Sequence, residues 1–201
     1  IGQYLIGTAS WIFLVRIISI FGSEAVAGYT IAFRVIIFTI LPSWGMANAA
    51  ATLVGQNLGA GFPDRAEKSV WTTANYNLVF LLGLAVILGI WAEPITLLFT
   101  TEPEVVRNSV ISLRIICLSY VFFAHGMVVS QSFNGAGDTR TPTIINFFIY
   151  WLVQIPLSYV FAMTVGWGVA GVYIAVTISA ALLAGVFIIV FRRGKWKTTS
   201  I

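Results

Sequence analysis

Long apolar runs alternate with short polar ones along this chain, regularly enough to be counted. A helix that crosses a membrane needs roughly 20 mostly apolar residues. Six stretches meet that requirement, at about 4–20, 26–57, 69–91, 106–130, 142–163 and 167–191. The second is longer than one crossing demands and contains Pro42 and Gly45. A kinked or tilted helix, or one that extends past the bilayer, accommodates the excess. Pro156 predicts a kink in the fifth stretch, because proline removes a ladder hydrogen bond. Helix-start signals fall between the runs. Thr101-Glu102-Pro103-Glu104 has capping-box spacing with its proline in the first turn. Asp64 and Glu67 repeat that spacing before the third run, with Lys68 four residues beyond Asp64, and Thr141-Pro142 precedes the fifth. The pattern predicts an all-α polytopic membrane protein, a six-transmembrane-helix bundle over residues 1–191 followed by a basic tail over 192–201.

Composition settles the solvent. Apolar residues make up 59% of the chain and charged residues 9%, against roughly 25% charged in soluble domains. With a mean hydropathy of +0.94, so much apolar surface calls for hydrocarbon, and lipid is the expected surround. The net charge of +4 sits mostly at the ends of spans rather than in one patch, which argues against a nucleic-acid partner. Cys117 is the only cysteine, so neither an intrachain disulfide nor a cysteine-based metal cluster is available. The chain opens on Ile1 inside the first run, with no starting Met, basic n-region or cleavage site, and we expect a piece of a longer protein.

Charge also predicts orientation. Arg65 and Lys68 follow the second span, Arg140 follows the fourth, and Arg192, Arg193, Lys195 and Lys197 follow the sixth. The intervening loops around 22–24, 91–104 and 165–168 carry no Lys or Arg. Under the positive-inside rule, both ends and both basic loops face the cytoplasm of a bacterial-type plasma (inner) membrane.

Inside the spans, polar residues are costly and therefore informative. Arg34 and Arg114 each lie about eight residues into a span, roughly 12 Å deep at the helical rise. Each should face a cavity or a polar partner, as a substrate or gating contact or as a structural pair with backbone groups. Arg16 and Arg107 lie shallower and can snorkel. Every carboxylate falls in a loop or at a helix end. His125 is the one intraspan side chain with a near-neutral ordinary pKa, either structural or proton-coupling. Asn75, Asn77, Asn146 and Gln154 are suited to hydrogen bonds between helices or to a cavity wall. Trp11, Trp44, Trp151 and Tyr120 offer aromatic surface to a cationic or flat apolar ligand. Trp71, Trp91, Trp167 and Trp196 suit interface anchoring. Small residues at Gly45 and Ala47–Ala51, and Gly166, Gly168 and Gly171, suit close helix packing.

Two glycine-rich loops are the most specific signal. The first reads Val54-Gly55-Gln56-Asn57-Leu58-Gly59-Ala60-Gly61, followed by Asp64-Arg65-Ala66. The second reads Asn134-Gly135-Ala136-Gly137-Asp138-Thr139-Arg140-Thr141-Pro142. With Ala25–Tyr29, Leu41-Pro42, Glu93–Ile95, Phe99–Val105 and Gly168–Gly171 in the same order, the whole chain resembles the C-terminal half of a multidrug and toxic compound extrusion (MATE) transporter. The resemblance implies one half of a twelve-helix protein, its partner an N-terminal bundle of the same chain. It implies a secondary antiporter, not an enzyme, that exports organic cations or other xenobiotics in exchange for protons or sodium, without a cofactor. A lipid-linked-precursor flippase of the same superfamily is the alternative, and an intramembrane enzyme is a remote third. Sodium-coupled branches carry acidic residues at positions that align near Gly7 and near Phe123–His125, where this chain has none. That departure favours protons as the coupling ion, with the titrating carboxylate in the other half.

Overall fold

The computed structural model describes residues 2–198, without the side chains of Tyr4 and Thr198. The end of the expected tail, 199–201, lies outside the described residues. The described chain is helical almost throughout: α1 (Gly2–Ser19), α2 (Ser23–Gly59), α3 (Pro63–Ile90), α4 (Ala92–Leu97), α5 (Pro103–Leu118), α6 (Tyr120–Gly135), α7 (Arg140–Phe147), α8 (Ile155–Tyr159) and α9 (Gly168–Arg192). Two wide π-wound stretches, Phe148–Gln154 and Val160–Thr164, join α7 and α8 into a single rod over Arg140–Thr164. Four of these rods are long and apolar enough to cross a membrane, and the bent pair α5–α6 makes a fifth. The remaining apolar helix, Leu5–Ser19, is shorter.

Three spans depart from expectation in instructive ways. The second runs unbroken through Pro42 for 37 residues. That is about 55 Å of helix, against a hydrocarbon core of about 30 Å, more than one upright crossing requires. The fourth run was expected as one helix; it is two, bent by 54°. At the bend, the Ser119 hydroxyl and amide both donate to the Ile116 carbonyl, which tightens the last turn of α5 and ends its regular ladder. Pro156 widens the fifth rod instead of kinking it sharply. Its missing N–H and bulky ring disfavour the usual four-residue repeat, and five-residue turns flank α8 on both sides.

Helix starts are also corrected. Neither expected capping box forms. The α5 cap is Glu102, whose N–H donates to Thr100 Oγ1 at 3.2 Å, while Glu104 pairs with Arg107 at 2.8 Å. At α3, Phe62 occupies the cap position and Pro63 the first turn. Asp64 and Glu67 turn outward to Lys197, at 3.1 and 2.6 Å. Before α7, the capping side chain is Asp138: its two carboxylate oxygens accept from the Thr141 N–H at 3.0 Å and hydroxyl at 2.6 Å.

α2 is the central post, packed on α3, α5 and α6, with α6 also meeting α3 and α9. The core falls into two layers along the bundle axis. Ile18, Ala32, Leu81, Leu113, Tyr120 and Tyr173 fill one. Val54, Val70, Val128, Phe133, Phe187 and Phe191 fill the other, beside the Gly-rich loops. Close approaches decide where glycine is needed. A Cβ on Gly28 would lie 2.7 Å from Asn108 Cβ, and one on Gly171 2.6 Å from the Phe161 carbonyl carbon. Gly45, expected at a helix contact, has nothing within 4 Å of its Cβ direction and is exposed.

The basic tail is docked. Trp196, expected at a membrane interface, is buried, stacks on Phe191 at 4.5 Å and donates its indole N–H to the Phe191 carbonyl at 2.9 Å. Arg192 lies over the Trp71 ring at 5.6 Å. Hydrogen bonds to the Glu67 and Asp64 carboxylates hold the Lys197 ammonium above its ordinary pKa.

Candidate functional site

Between α1, α2, α6, α7, the first wide stretch and α9 lies an open cavity of about 370 Å³, a size typical of small-molecule sites. Part of its lining is aromatic and apolar: Trp44, Phe122, Phe123, Met127 and Phe187. The rest includes polar but uncharged side chains: Gln3, Thr8, Ser130, Gln131, Asn134, Asn146 and Tyr150. The α6 contribution follows from helix periodicity, since residues 123, 126, 127, 130, 131 and 134 share one face. Gly126 keeps that face close to α9, with Ala184 Cα 3.4 Å from where its Cβ would stand.

Three amides tie the cavity's loop end together. Gln3 Nε2 donates to Asn134 Oδ1 at 3.0 Å and to the Thr139 carbonyl at 3.3 Å. Asn134 Nδ2 donates to Gln131 Oε1 at 2.6 Å and to Gln3 Oε1 at 3.4 Å. This network joins α1 to α6 and to the second Gly-rich loop. It gathers residues that hydropathy did not single out as a site; the i,i+3 pair Gln131 and Asn134 was the available signal.

Of the residues singled out from sequence, Asn146 lines the cavity, as does Trp44. The others lie elsewhere. Tyr120 is fully buried and shares a 2.7 Å hydrogen bond with Thr39. Trp151 donates to the Ile6 carbonyl at 3.3 Å and stacks on Phe147. Gln154 is buried, and His125 is half-buried on α6 outside the cavity lining. Arg34 and Arg114 are exposed, and Arg114 Nε donates to the Gly89 carbonyl at 3.3 Å, a backbone pairing. Asn77 ties α3 to α6 by donating to the Ala124 carbonyl at 2.9 Å.

The motif loops divide by task. Gly55 and Gly135 are helix-crossing residues: a Cβ on Gly135 would overlap the Ala51 carbonyl, and one on Gly55 would lie 3.1 Å from the Gly135 carbonyl oxygen. Gly61 and Gly137 carry positive φ, 80° and 81°, and make the turns that follow α2 and α6. Gly59 has open space around it, and Gln56 is exposed. Thr139 takes the cap position of α7, and Pro142 is buried in its first turn. Among the described residues, no three His, Cys, Asp or Glu side chains come together in a way that could hold a metal ion.

Membrane-length helices around an uncharged, solute-sized cavity define a polytopic membrane protein, its loops built for tight turns and close crossings. The MatE family model matches residues 1–160, and the chain belongs to that family. It is 26% identical over 186 residues to a probable multidrug resistance protein NorM of Thermotoga maritima, which covers 92% of this chain and 40% of the relative. To the NorM of Caulobacter vibrioides it is 28% identical over 177 residues, 86% of this chain and 37% of that protein. Among solved structures, it superimposes with a TM-score of 0.90 on an outward-facing multidrug resistance MATE family transporter of the MOP superfamily, at 24% identity over 98% of this chain and 45% of the other. A MOP superfamily transporter from Pyrococcus furiosus gives the same TM-score at 23% identity, again over 98% of this chain and 45% of the other. The chain thus spans less than half the length of these relatives.

Proposed function

We propose that this chain forms the C-terminal half of a secondary active exporter of organic cations and other amphipathic xenobiotics, driven by exchange for protons. The carrying observation is the open cavity, lined by aromatic and by uncharged polar side chains, in a bundle whose fold and family are those of proteins named for multidrug resistance. Aromatic side chains suit the flat rings of such substrates, while hydroxyls and amides fix orientation. Alternating access follows from two bundles rocking about a site between them. The Lys and Arg distribution supports cytoplasmic placement of both Gly-rich loops and both ends, in a bacterial-type plasma membrane. Protons are our reading of the coupling ion, supported by a cavity lining that contributes no carboxylate for sodium, with the titrating carboxylate proposed to lie in the other half.

The test is ethidium efflux from cells that express the full-length protein. Export that collapses with a protonophore and persists without sodium supports the reading. Export that needs a sodium gradient moves the coupling to sodium, and no drug export alongside movement of lipid-linked precursors replaces the reading with a flippase. His125→Ala, measured in parallel, is expected to leave coupling intact, since His125 stands outside the cavity lining.

A further inference from the structure

Resting on the export reading, we propose that the cavity wall formed by Asn146, Gln131 and Ser130 is a subsite for the uncharged, hydrogen-bonding part of a substrate, such as an amide or hydroxyl group. The substrate's positive charge is then met elsewhere. Three observations lead there. First, the lining of this cavity is without Asp, Glu, Lys or Arg. A cation enclosed in such a wall loses hydration with no carboxylate to replace it, and that penalty exceeds what one aromatic face returns. Second, polar capacity on this wall is left open. Among the described residues, Asn146 and Ser130 line the cavity without a side-chain hydrogen-bond partner, and Gln131 uses only its Oε1, accepting from Asn134 at 2.6 Å. An amide both donates and accepts, so it matches neutral groups that do the same. Third, the wall is ordered while the amide bridge is made. Asn134 is braced by Gln3 and in turn holds Gln131, and Asn146 lies on α7, whose start is capped by Asp138. Groups fixed in advance bind at lower entropic cost than groups that must first be ordered.

The complementary molecule therefore has a neutral hydrogen-bonding portion on this wall and rings against Trp44 and Phe123. Two probes separate the chemistries: chloramphenicol, uncharged with an amide and hydroxyls, and tetraphenylphosphonium, a permanent cation without hydrogen-bonding groups. Equilibrium binding is measured on the full-length protein in lipid nanodiscs. Chloramphenicol is expected to bind the wild type and to lose about tenfold in affinity in Asn146→Leu, the loss of one or two net hydrogen bonds. Tetraphenylphosphonium binding should stay within about twofold in the same variant. Gln131→Glu retains the acceptor for Asn134 and adds a charge, so it should strengthen tetraphenylphosphonium while weakening chloramphenicol; a misfolded variant cannot produce that gain. No chloramphenicol binding to the wild type, unchanged affinity in both variants, or a parallel fall of both ligands in both variants overturns the proposal. If binding behaves as expected but reconstituted protein moves neither probe, the export reading fails while the subsite stands.

Discussion

At the scale of single residues, backbone approach separates essential glycines from dispensable ones. Gly135 faces the Ala51 carbonyl so closely that any Cβ would overlap it, and Gly55 stands just across the same crossing. Gly135→Ala must push α6 away from α2, at the cost of about 1–3 kcal/mol typical of overpacking. Gly45 lies in the middle of α2 with open space beside it, so Gly45→Ala should be neutral or gain up to about 1 kcal/mol of helix propensity. Thermal melting of the full-length protein in detergent would read both. A lower midpoint for Gly135→Ala with no fall for Gly45→Ala is expected, and equal shifts would contradict the assignment. The sequence placed Gly45 at a helix contact and Gly135 in a Gly-rich loop, and the close crossing belongs to the second. What distinguishes them is the neighbouring helix, which one-dimensional pattern does not reveal.

At the scale of elements, the second to sixth spans were legible because each is fixed by a long sum of apolar residues, while the first run gives an apolar helix too short to count as a crossing by length. The bend at Ser119, the wide turns around Pro156 and the true caps were not, because each depends on one local hydrogen-bond choice. Thr101 had the spacing of a cap, yet Thr100 and Glu102 took that place; Asp138 was singled out only as a motif-loop residue, and its carboxylate accepts from Thr141 at the start of α7. The least legible element was the tail. The sequence offered only a basic tail with Trp196 suited to interface anchoring, but Trp196 packs on Phe191 and Lys197 clasps Asp64 and Glu67 on α3. Burial of the indole dominates: Trp196→Ala should destabilise the docked tail by about 3–5 kcal/mol, and Lys197→Ala by about 0–1 kcal/mol, since the ion pairs lie at the protein surface with Lys197 partly and Asp64 almost fully exposed. Limited trypsin digestion of membranes containing the full-length protein would show rapid tail cleavage in the first variant and near-normal protection in the second. The pair's pH dependence has a definite sign. Because the folded ammonium titrates above its ordinary value, its contribution is complete below the ordinary lysine pKa and disappears as pH rises through the raised one. Protection should therefore hold steady from pH 7 to pH 9, and a marked decline across that interval would refute the ion-pair account.

At the scale of the whole molecule, the cavity exists because α1 and α6 stand apart, α1 packing on α7, α8 and α2. Side chains, not helix contact, close the gap at the loop end: Gln3 reaches from α1 to Asn134 on α6 and to the Thr139 carbonyl of the second Gly-rich loop. The sequence showed polar residues within the spans but not which of them face one another, so Arg34 and Arg114 drew attention and this amide bridge did not. Its physics suits a gate. Amide hydrogen bonds exchange readily with water, and each contributes about 0.5–1.5 kcal/mol net, enough to hold a closed state without locking it. Gln3→Met keeps the side-chain volume and removes both donated bonds, a loss of about 1 kcal/mol or more that shifts an open–closed equilibrium by fivefold or more. Thr8 lines the cavity above the bridge and can carry a reporter cysteine in an otherwise cysteine-free full-length protein. A membrane-impermeant maleimide supplied from the side of the Gly-rich loops should label Thr8→Cys at least fivefold faster when Gln3→Met is also present. Asn134→Leu, which removes the bridge from its other end, should accelerate labelling to a similar degree. If neither substitution changes the rate, the amides are a structural tie, and the loop end must be closed by the other half of the protein.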